Sequence, residues 1–476
     1  MHSPNQNSPA ASEDFASVLA RFASPLRLQD LPPAVVEATK LNIFDTLACA
    51  AAGSSAHSAS RARELAVQWG GTAQATILGY GDKVPAHHAA WVNGTMCHAR
   101  DYDDTHDAAV LHAGVSVVPA ALAAAELRGK VSGADFIAAV AAGLETICRL
   151  GVAARIGPIE AGWMYTGLFG NFSATIAASR ALGLDVAETV NSLGITYSQA
   201  GGIHQVTRDA AHTKSMQPGF AARSALWSVQ LTRQQVRGAQ ATFEGIDGFK
   251  RVYMRDELDS ERLRAGLGRD YELLQLSYKP YPCCRLTHTA IEAAYALAAT
   301  EGFDVSRVRR IRVGVNRQSY EAVCTPVEVR KAPKTLVQAQ FSIPYTVATA
   351  LLRGSVGLSS FSEAALAQAD VLALAERVDG CVDEDIDRHW GRSVTPAQME
   401  VEYVDGRKQS LRVDVPLGHP SRPMSAAAQE AKAADCFRAA ARPLRDDGAR
   451  ELHRLVQGLD QMDDVRELTR VLVPVA

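Results

Sequence analysis

Long alanine- and leucine-rich segments with helical periodicity run through the first 275 residues and constrain the fold most strongly. Apolar residues recur three and four positions apart in Pro33 to Gly53, Gly133 to Leu150 and Phe172 to Leu182, and glycine or proline separates such segments. No stretch of this half alternates strictly between apolar and polar residues for more than a few positions, so an extended sheet is not expected there. We therefore predict an all-α domain over residues 13–275.

The pattern changes after residue 275, where alternating segments typical of strands begin. Val308 to Val315 alternates, and Met399 to Val415 contains two alternating arms joined by the turn dipeptide Asp405-Gly406. Helical stretches between these strands are predicted at residues 287–300, 341–352 and 364–376. Residues 276–417 are therefore predicted to form a smaller α+β domain.

The two ends of the chain complete the predicted organisation. The tail is helical again between Ser425 and Gly458, so residues 418–476 are expected to form C-terminal helices that pack back on the all-α domain. The α+β domain is then an insertion, placed as a lid. Residues 1–12 lack the basic and apolar regions of a secretion signal and are expected to be a disordered leader. The predicted fold class is mainly α.

Composition and charge exclude several classes of function. The 476-residue chain is 47% hydrophobic and 21% charged, as in soluble globular proteins, and its net charge of −3 without basic runs argues against nucleic acid and membrane partners. Its eight cysteines include no CxxC pair, and neither a GxGxxG nor a GxxxxGKS/T loop occurs. We predict a cytoplasmic protein that uses no cofactor and no metal.

A dense polar segment, His98 to His106, is followed by His112 and lies between two apolar helices. If residues 98–105 are helical, Asp101 and Thr105 share one face of that helix. The segment can be interpreted as a solvated loop at a helix end, or as a Mg²⁺ or Mn²⁺ site, although no companion ligand cluster occurs elsewhere. The third interpretation is a catalytic site.

A second polar segment, YKPYPCCRLTH at residues 278–288, lies where the helical pattern gives way to the mixed one. Its two prolines exclude a regular helix and predict a rigid turn. A half-buried Lys279 in this turn would lose hydration, which lowers its pKa and lets it act as a base or an acid near neutral pH. The alternative is an ordinary surface lysine.

Seven sequence segments, in this order, resemble those of the MmgE/PrpD family. They are LARFASPLRLQDLPPAVVEATKLNIFDTLACAAAG, NGTMCHARDYDDTH, LHAGVSVVPAALAAAE, TGLFGNFSATIAASRALGLD, SYKPYPCCRLTHTAIEAA, QFSIPYTVATALLRGSVGL and GHPSRPMS. The resemblance covers nearly the whole chain and implies a large all-α domain, an inserted α/β lid and a homodimer. It also implies proton-transfer chemistry on small polycarboxylic acids, as in 2-methylcitrate dehydratases, cis-aconitate decarboxylases and iminodisuccinate epimerases.

The resemblance also assigns candidate site residues. The positions that match family site residues are Asp101, Thr105, His112, Lys214, Lys279 and Tyr345. With the remaining candidates added, the predicted catalytic residues are Asp101, His112, Tyr165, Lys214 and Lys279. The predicted substrate-binding residues are Thr105, Gln217, Cys284, Arg285 and Tyr345.

The chain departs from the family pattern at GWMYTG, residues 162–167, where many members read GFHPTG. Met164 therefore replaces a histidine and Tyr165 replaces a proline. Gln217 replaces another histidine, and Cys284 stands where the decarboxylase has a histidine. Because a phenol can exchange a proton, Tyr165 opposite Lys279 is a candidate acid-base pair.

Dehydration of a 2-methylcitrate- or citrate-like hydroxy acid, begun by removal of a proton alpha to a carboxylate, is the first functional hypothesis. Epimerisation of an imino- or amino-dicarboxylate is the second, because of the lost histidines and Tyr165. Decarboxylation of cis-aconitate is the third, weakened by Met164 and Cys284. A binding module or dimer scaffold without activity is the remaining alternative.

Overall fold

The computed structural model describes residues 13–391 and 396–475, so the leader predicted at residues 1–12 lies outside the described residues. Helices dominate the first half. They are α1 (Phe15–Ala23), α2 (Pro33–Gly53), α3 (His57–Trp69), α4 (Ala86–His98), α5 (Gly114–Arg128), α6 (Gly133–Ala153), α7 (Pro158–Ala161), α8 (Tyr165–Leu182), α9 (Val186–Tyr197), α10 (Gln205–Arg208), α11 (Thr213–Arg233), α12 (Phe249–Val252) and α13 (Ser260–Arg264). The short strands here are β1 (Ala75–Thr76), β2 (Lys83–Val84), β3 (Thr105–His106) and β4 (Leu276–Ser277). The prediction of a mainly α fold is confirmed.

Local sequence signals set the ends of these helices. Pro33 lies in the first turn of α2, where an amide hydrogen would have no partner within the helix. Gly183 ends α8 in the left-handed conformation, with φ of 74°. This helix begins at Tyr165, well before the predicted start at Phe172, so residues of the GWMYTG segment form its first turn.

Small residues let the central helices pack at close range. A Cβ atom on Gly94 of α4 would lie 2.8 Å from the Cα atom of Gly219 in α11. A Cβ atom on Gly143 of α6 would lie 2.7 Å from the side chain of Val117 in α5. The alanine and glycine content of the first half therefore reflects close helix packing as well as helix propensity. Helix α6 is long and apolar enough to cross a membrane, yet 94% of its apolar window is buried among the other helices.

A four-stranded sheet lies at the centre of a second hydrophobic cluster. Its strands, in spatial order, are β6 (Val378–Val382), β5 (Val308–Val315), β7 (Ala397–Tyr403) and β8 (Lys408–Val413). β5 pairs with β6 in parallel, and the other two pairings are antiparallel. The sheet's β5 and its β7–β8 hairpin coincide with predicted strands, whereas β6 was not predicted, since its central Asp379-Gly380 interrupts any apolar alternation.

The helices of the second cluster pack on this sheet or on one another. They are α14 (His288–Ala298), α15 (Arg317–Val323), α16 (Val327–Lys331), α17 (Leu336–Gln340), α18 (Ile343–Arg353), α19 (Glu363–Leu366), α20 (Ala369–Ala375) and α21 (Glu384–Trp390). The longest of these, α14 and α18, pack against each other and against the sheet. The core side chains of this second cluster come from residues 283–403.

The chain then returns to the first cluster through α22 (Ala426–Arg438), α23 (Gly448–Gln457) and α24 (Glu467–Val471). Both α22 and α23 pack against α2. The segment after α23 also approaches α6 closely, because a Cβ atom on Gly133 of α6 would lie 1.7 Å from the carbonyl oxygen of Leu459. The domain limits and the role of the second cluster as a lid stay predictions.

Candidate active site

The loop after α4 carries much of the polar segment that begins at His98. The helix ends at His98, and Asp101 adopts a left-handed φ of 53°, which turns the chain away from the helix axis. The interpretation of residues 98–105 as a helix is therefore wrong. The strand β3 that follows pairs with β4, with Thr105 opposite Ser277. This pairing brings the loop beside Lys279, although the two polar segments are far apart in sequence.

Asp101 binds two buried lysines through its carboxylate. Its Oδ1 atom lies 2.5 Å from Lys279 Nζ, and its Oδ2 atom lies 2.9 Å from Lys214 Nζ. Lys279 also donates to the backbone carbonyl of Asp101 at 2.9 Å. Burial alone would raise the pKa of Asp101, but the charges of Lys214 and Lys279 outweigh it and hold that pKa well below its ordinary range. The carboxylate is therefore an anion that fixes both lysines.

The structure corrects the predicted behaviour of Lys279. Its side chain is fully buried, and burial opposes its charge, yet the charges of Asp101 and Asp103 raise its pKa above the ordinary value. Lys279 is therefore a charged group paired with a carboxylate, and the prediction that it is half-buried and readily loses its proton is wrong.

Two histidines converge on Asp103, which is fully buried. His98 Nδ1 and His112 Nδ1 lie 2.9 Å and 2.8 Å from Asp103 Oδ2, and His112 Nδ1 also lies 2.8 Å from the Asp104 carbonyl oxygen. Both neighbours of His112 Nδ1 are acceptors, so this nitrogen carries the ring hydrogen. The other ring nitrogen, Nε2, has no hydrogen-bond partner among residues 13–391 and 396–475, so its lone pair is available to a ligand.

His98 is held as a neutral ring. Lys214 Nζ lies 3.3 Å from His98 Nε2, which therefore accepts a hydrogen bond while Nδ1 donates to Asp103. Burial lowers the pKa of His98 to about 4, and the charge of Lys214 acts in the same direction against the opposing effect of Asp103. His98 thus links the Asp103–His112 pair to the Lys214–Asp101 pair.

The remaining carboxylates of the loop hold its shape. The Asp104 carboxylate accepts hydrogen bonds from the Ala113 and Gly114 amides at the start of α5, at 2.9 and 3.0 Å. Burial, together with the charge of Asp103, raises the pKa of Asp104 to about 6. Asp107 accepts from the Thr105 hydroxyl at 2.8 Å. Through this hydrogen bond Thr105 helps to fix the shape of the loop.

Arg285 joins the rigid turn to this loop. Its Nε atom lies 3.4 Å from both carboxylate oxygens of Asp107, and its Nη1 atom donates to the Leu417 carbonyl oxygen at 2.7 Å. The C-terminal helix α22 holds the loop from the other side, because Lys432 Nζ donates to the Tyr102 carbonyl oxygen at 2.7 Å and to Asp45 Oδ1 at 2.6 Å. Both hydrophobic clusters therefore support the loop.

A cavity of about 400 Å³ lies between the two clusters, with this network on its wall. That volume falls in the ordinary range for small-molecule sites. The sequence-predicted residues that line it are Asp101, Thr105, His112, Lys214, Cys284 and Arg285. Lining residues that the prediction did not assign to the site include Phe341, Met164 and the titratable residues His106, Asp107, His204, Arg208, Glu321 and Arg330.

Four predicted site residues do not line the cavity as the described residues form it. Lys279 lies behind Asp101, and the Gln217 amide donates to the Ile203 carbonyl oxygen at 3.0 Å. Tyr345 donates its hydroxyl hydrogen to the Ser360 carbonyl oxygen at 2.8 Å inside the second cluster.

Tyr165 is placed differently from the predicted acid-base pair. Its ring is buried and packs on Phe169, one helical turn along α8, with ring centroids 4.4 Å apart. Its hydroxyl donates to the Ile156 carbonyl oxygen at 2.5 Å. The geometry does not bring its hydroxyl into the cavity, so it contradicts the predicted pairing with Lys279.

The His98, Asp103 and His112 side chains also form a potential metal cluster, with ligand atoms within 4.8 Å of one another. Both Nδ1 atoms, however, lie within 2.9 Å of the same Asp103 oxygen. Ligands about 2.1 Å from a tetrahedral metal ion would lie about 3.4 Å apart. The spacing fits hydrogen bonds from the two rings to one carboxylate.

The chain matches the MmgE/PrpD N-terminal domain over residues 17–261 and the MmgE/PrpD C-terminal domain over residues 281–460. It therefore belongs to the MmgE/PrpD family, as the seven sequence segments predicted.

Several relatives carry the name cis-aconitate decarboxylase. The chain is 28% identical to the enzyme of Aspergillus terreus, and the match covers 97% of this chain and 96% of that protein. It is 25% identical to the enzyme of Homo sapiens, over 97% and 94% of the two chains. For the enzyme of Mus musculus the identity is 24%, over 97% and 93%. These matches extend over both clusters.

Proposed function

We propose that this protein is a lyase that acts on small tricarboxylic acids by proton transfer and without a cofactor. The observation that carries the proposal is the cavity wall, which combines the Asp101–Lys214 ion pair and the free His112 Nε2 atom with two further cations. Arg208 and Arg330 line the same cavity, and neither is paired with a carboxylate among residues 13–391 and 396–475. Unpaired guanidinium groups on a cavity wall favour a ligand with several carboxylates.

The residues present suit the chemistry of such acids. In a decarboxylation the carbon–carbon bond to one carboxylate breaks, carbon dioxide leaves, and the electron pair remains as a carbanion that takes up a proton. In a dehydration a base removes a proton alpha to a carboxylate, and hydroxide leaves with a proton from an acid. Both reactions build negative charge beside a carboxylate, which the Lys214 ammonium stabilises.

Decarboxylation of a cis-aconitate-like acid is the first candidate, because the relatives that match over both clusters bear that name. Dehydration of a citrate-like hydroxy acid, the first hypothesis from the sequence, is the second candidate. It is favoured by two cavity-lining residues that weaken the decarboxylase hypothesis. Cys284 stands where the decarboxylase has a histidine, and Met164 replaces a histidine that many family members have. Epimerisation loses the support of Tyr165, whose hydroxyl is bonded to the Ile156 carbonyl oxygen.

Proton NMR of the purified protein in D₂O with a chelator tests this proposal. The protein is incubated separately with cis-aconitate, citrate, 2-methylcitrate and an aspartate-derived imino acid. A new methylene signal from cis-aconitate, with release of carbon dioxide, identifies the decarboxylase, and a new alkene from a hydroxy acid identifies the dehydratase. Deuterium in an alpha position without a new alkene, or no change with any acid, would contradict the proposed lyase.

The predicted homodimer and cytoplasmic location are part of the same proposal. Light scattering of the purified protein tests the first, since a dimer has twice the 50.9 kDa mass of the chain.

A further inference from the structure

His204 is a cavity-lining histidine that the sequence analysis did not assign to the site. It immediately precedes α10 and shares the cavity with His112, Met164 and Lys214. Its side chain is half-buried. The cavity wall therefore contains an imidazole in addition to those of His106 and His112.

The backbone fixes His204 beside Met164. Residues 202–204 run antiparallel to residues 162–164, with Trp163 opposite Ile203. The Met164 amide donates to the Gly202 carbonyl oxygen at 3.0 Å, and the His204 amide donates to the Gly162 carbonyl oxygen at 2.9 Å. In such a pairing residues 164 and 204 are diagonal neighbours on one face, with Cβ atoms about 7–8 Å apart. A histidine at 204 thus reaches the part of the cavity where Met164 lies.

The His204 ring has an unused nitrogen. Its Nδ1 atom is buried and has no hydrogen-bond partner within the described part of the chain. A buried polar nitrogen without a partner has lost its hydration without compensation, so a ligand that reaches it gains a hydrogen bond at little further cost. Because His204 lines the cavity, a ligand bound there is a candidate partner for that nitrogen.

Most other titratable groups on the cavity wall are already engaged. Asp101 and Lys214 are paired with each other at 2.9 Å. His106 accepts from the Ala109 amide at Nδ1. Its Nε2 atom has no hydrogen bond among the described residues and lies 3.7 Å from the Glu272 carboxylate, which a bound acid would have to displace. His204 has no carboxylate within ion-pair distance among residues 13–391 and 396–475, so its ring is available to a ligand in the cavity.

We infer that His204 is a catalytic residue of this cavity that exchanges a proton with the bound acid, as the partner of His112. The inference rests on the proposed function. In the decarboxylation, the bond between carbon and carboxylate breaks and its electron pair passes to an allylic carbanion. The His204 imidazolium then gives its proton to that carbanion, and the neutral ring recovers a proton from solvent. One tricarboxylate and one proton become one dicarboxylate and carbon dioxide.

The charges around His204 suit this role. Burial and the nearby charges of Arg208 and Lys214 lower the pKa of His204 in the free protein, so the ring is neutral near pH 7. A bound polycarboxylate neutralises those cations and adds negative charge, which raises that pKa again. The ring therefore gains a proton when the acid binds.

The test compares the full-length wild type with His204→Gln, His204→Ala and the control His88→Gln. His88 is also half-buried with a buried, unpartnered Nδ1 atom, and it does not line the cavity. Circular dichroism melting confirms that each variant folds. We expect kcat of His204→Gln to fall about 100-fold, kcat of His88→Gln to stay within twofold, and added imidazole to restore activity to His204→Ala.

A second measurement does not depend on turnover. Calorimetric titration with propane-1,2,3-tricarboxylate at pH 7.5, in two buffers of different ionisation enthalpy, reports the protons taken up on binding. We expect the wild type to take up more protons per site than His204→Gln, because the bound acid raises the lowered pKa of His204. Equal proton uptake in the two proteins, or a loss of turnover that imidazole does not rescue, would overturn the assignment of His204.

The two proposals fail separately. If the wild type converts cis-aconitate and His204→Gln keeps its kcat within twofold, the assignment of His204 is wrong and the lyase stands. If the wild type converts none of the acids but its proton uptake depends on His204, the lyase is wrong and the proton-exchanging role stands.

Discussion

Replacement of Asp101 by asparagine tests the central ion cluster most directly. The residue has a left-handed φ of 53°, a conformation that asparagine adopts readily, so Asp101→Asn removes the charge with little change to the backbone. The substitution leaves two ammonium groups, Lys214 and Lys279, buried without their carboxylate. Removal of one partner of a buried ion pair costs about 3–5 kcal/mol.

Deprotonation of Lys279 sets the size and the pH dependence of this loss. An ordinary lysine has a pKa of about 10.4, so a neutral Lys279 costs about 4.6 kcal/mol at pH 7 and about 1.9 kcal/mol at pH 9. In the variant the pKa of Lys279 is depressed by burial, and the folded state favours the neutral form. The deficit in stability is therefore largest at pH 7 and shrinks by about 2–3 kcal/mol at pH 9.

Urea unfolding monitored by tryptophan fluorescence measures this change, since four of the five tryptophans, at positions 69, 91, 163 and 227, lie in the helical half. Asp45→Asn is the matched comparison, because it strands a single buried ammonium, that of Lys432. We expect Asp101→Asn to lose at least as much stability as Asp45→Asn. A loss below about 1 kcal/mol at pH 7, or a deficit that does not change between pH 7 and pH 9, would refute the charged state assigned to Lys279.

Two further predictions concern Tyr165 and His98. Tyr165→Phe removes the hydrogen bond from the hydroxyl to the Ile156 carbonyl oxygen, so it should cost about 1 kcal/mol of stability and leave turnover within twofold. A large loss of turnover in a folded variant would return Tyr165 to the site. The pKa of His98 is about 4 in the folded protein, below its unfolded value, so its contribution to stability is present above pH 6.5 and is lost as the pH falls toward 4. At pH 4.5 this loss of stability is about 2–3 kcal/mol. The melting temperature should therefore fall less steeply with decreasing pH in His98→Gln than in the wild type.

The sequence predicted the helical architecture well because its signals are local. Periodic apolar residues located α2 and α6, and the Asp405-Gly406 dipeptide located the β7–β8 hairpin. Strand β6 was not predicted, because its five residues carry a weak local signal. Its strand conformation depends mainly on parallel pairing with β5, which is distant in sequence.

The sequence predicted which residues form much of the candidate site, but it predicted their arrangement only in part. Matching family positions named Asp101, Lys214 and Lys279, which the fold does bring together across separations of 113 and 178 residues. The burial and the charged state of Lys279 depend on these distant residues. The residues next to Lys279 in the sequence therefore could not predict either property. Tyr165 and Phe169 are four residues apart in α8, a spacing typical of two aromatic rings that pack on one face of a helix. This local pattern indicates a core position for Tyr165. Its hydroxyl was instead interpreted as catalytic, because Tyr165 stands where many family members have a proline.

The contact between Lys432 and the Tyr102 carbonyl oxygen bears on how the protein is made. A ribosome releases the chain from the N-terminus, so Asp101 and its loop emerge more than 300 residues before the lysine that anchors them. A chain stopped before residue 432 therefore contains nearly every residue of the cavity wall but lacks one support of the loop. The final arrangement of the cavity is reached only after residue 432 has been synthesised, which couples chemical competence to an intact helix α22.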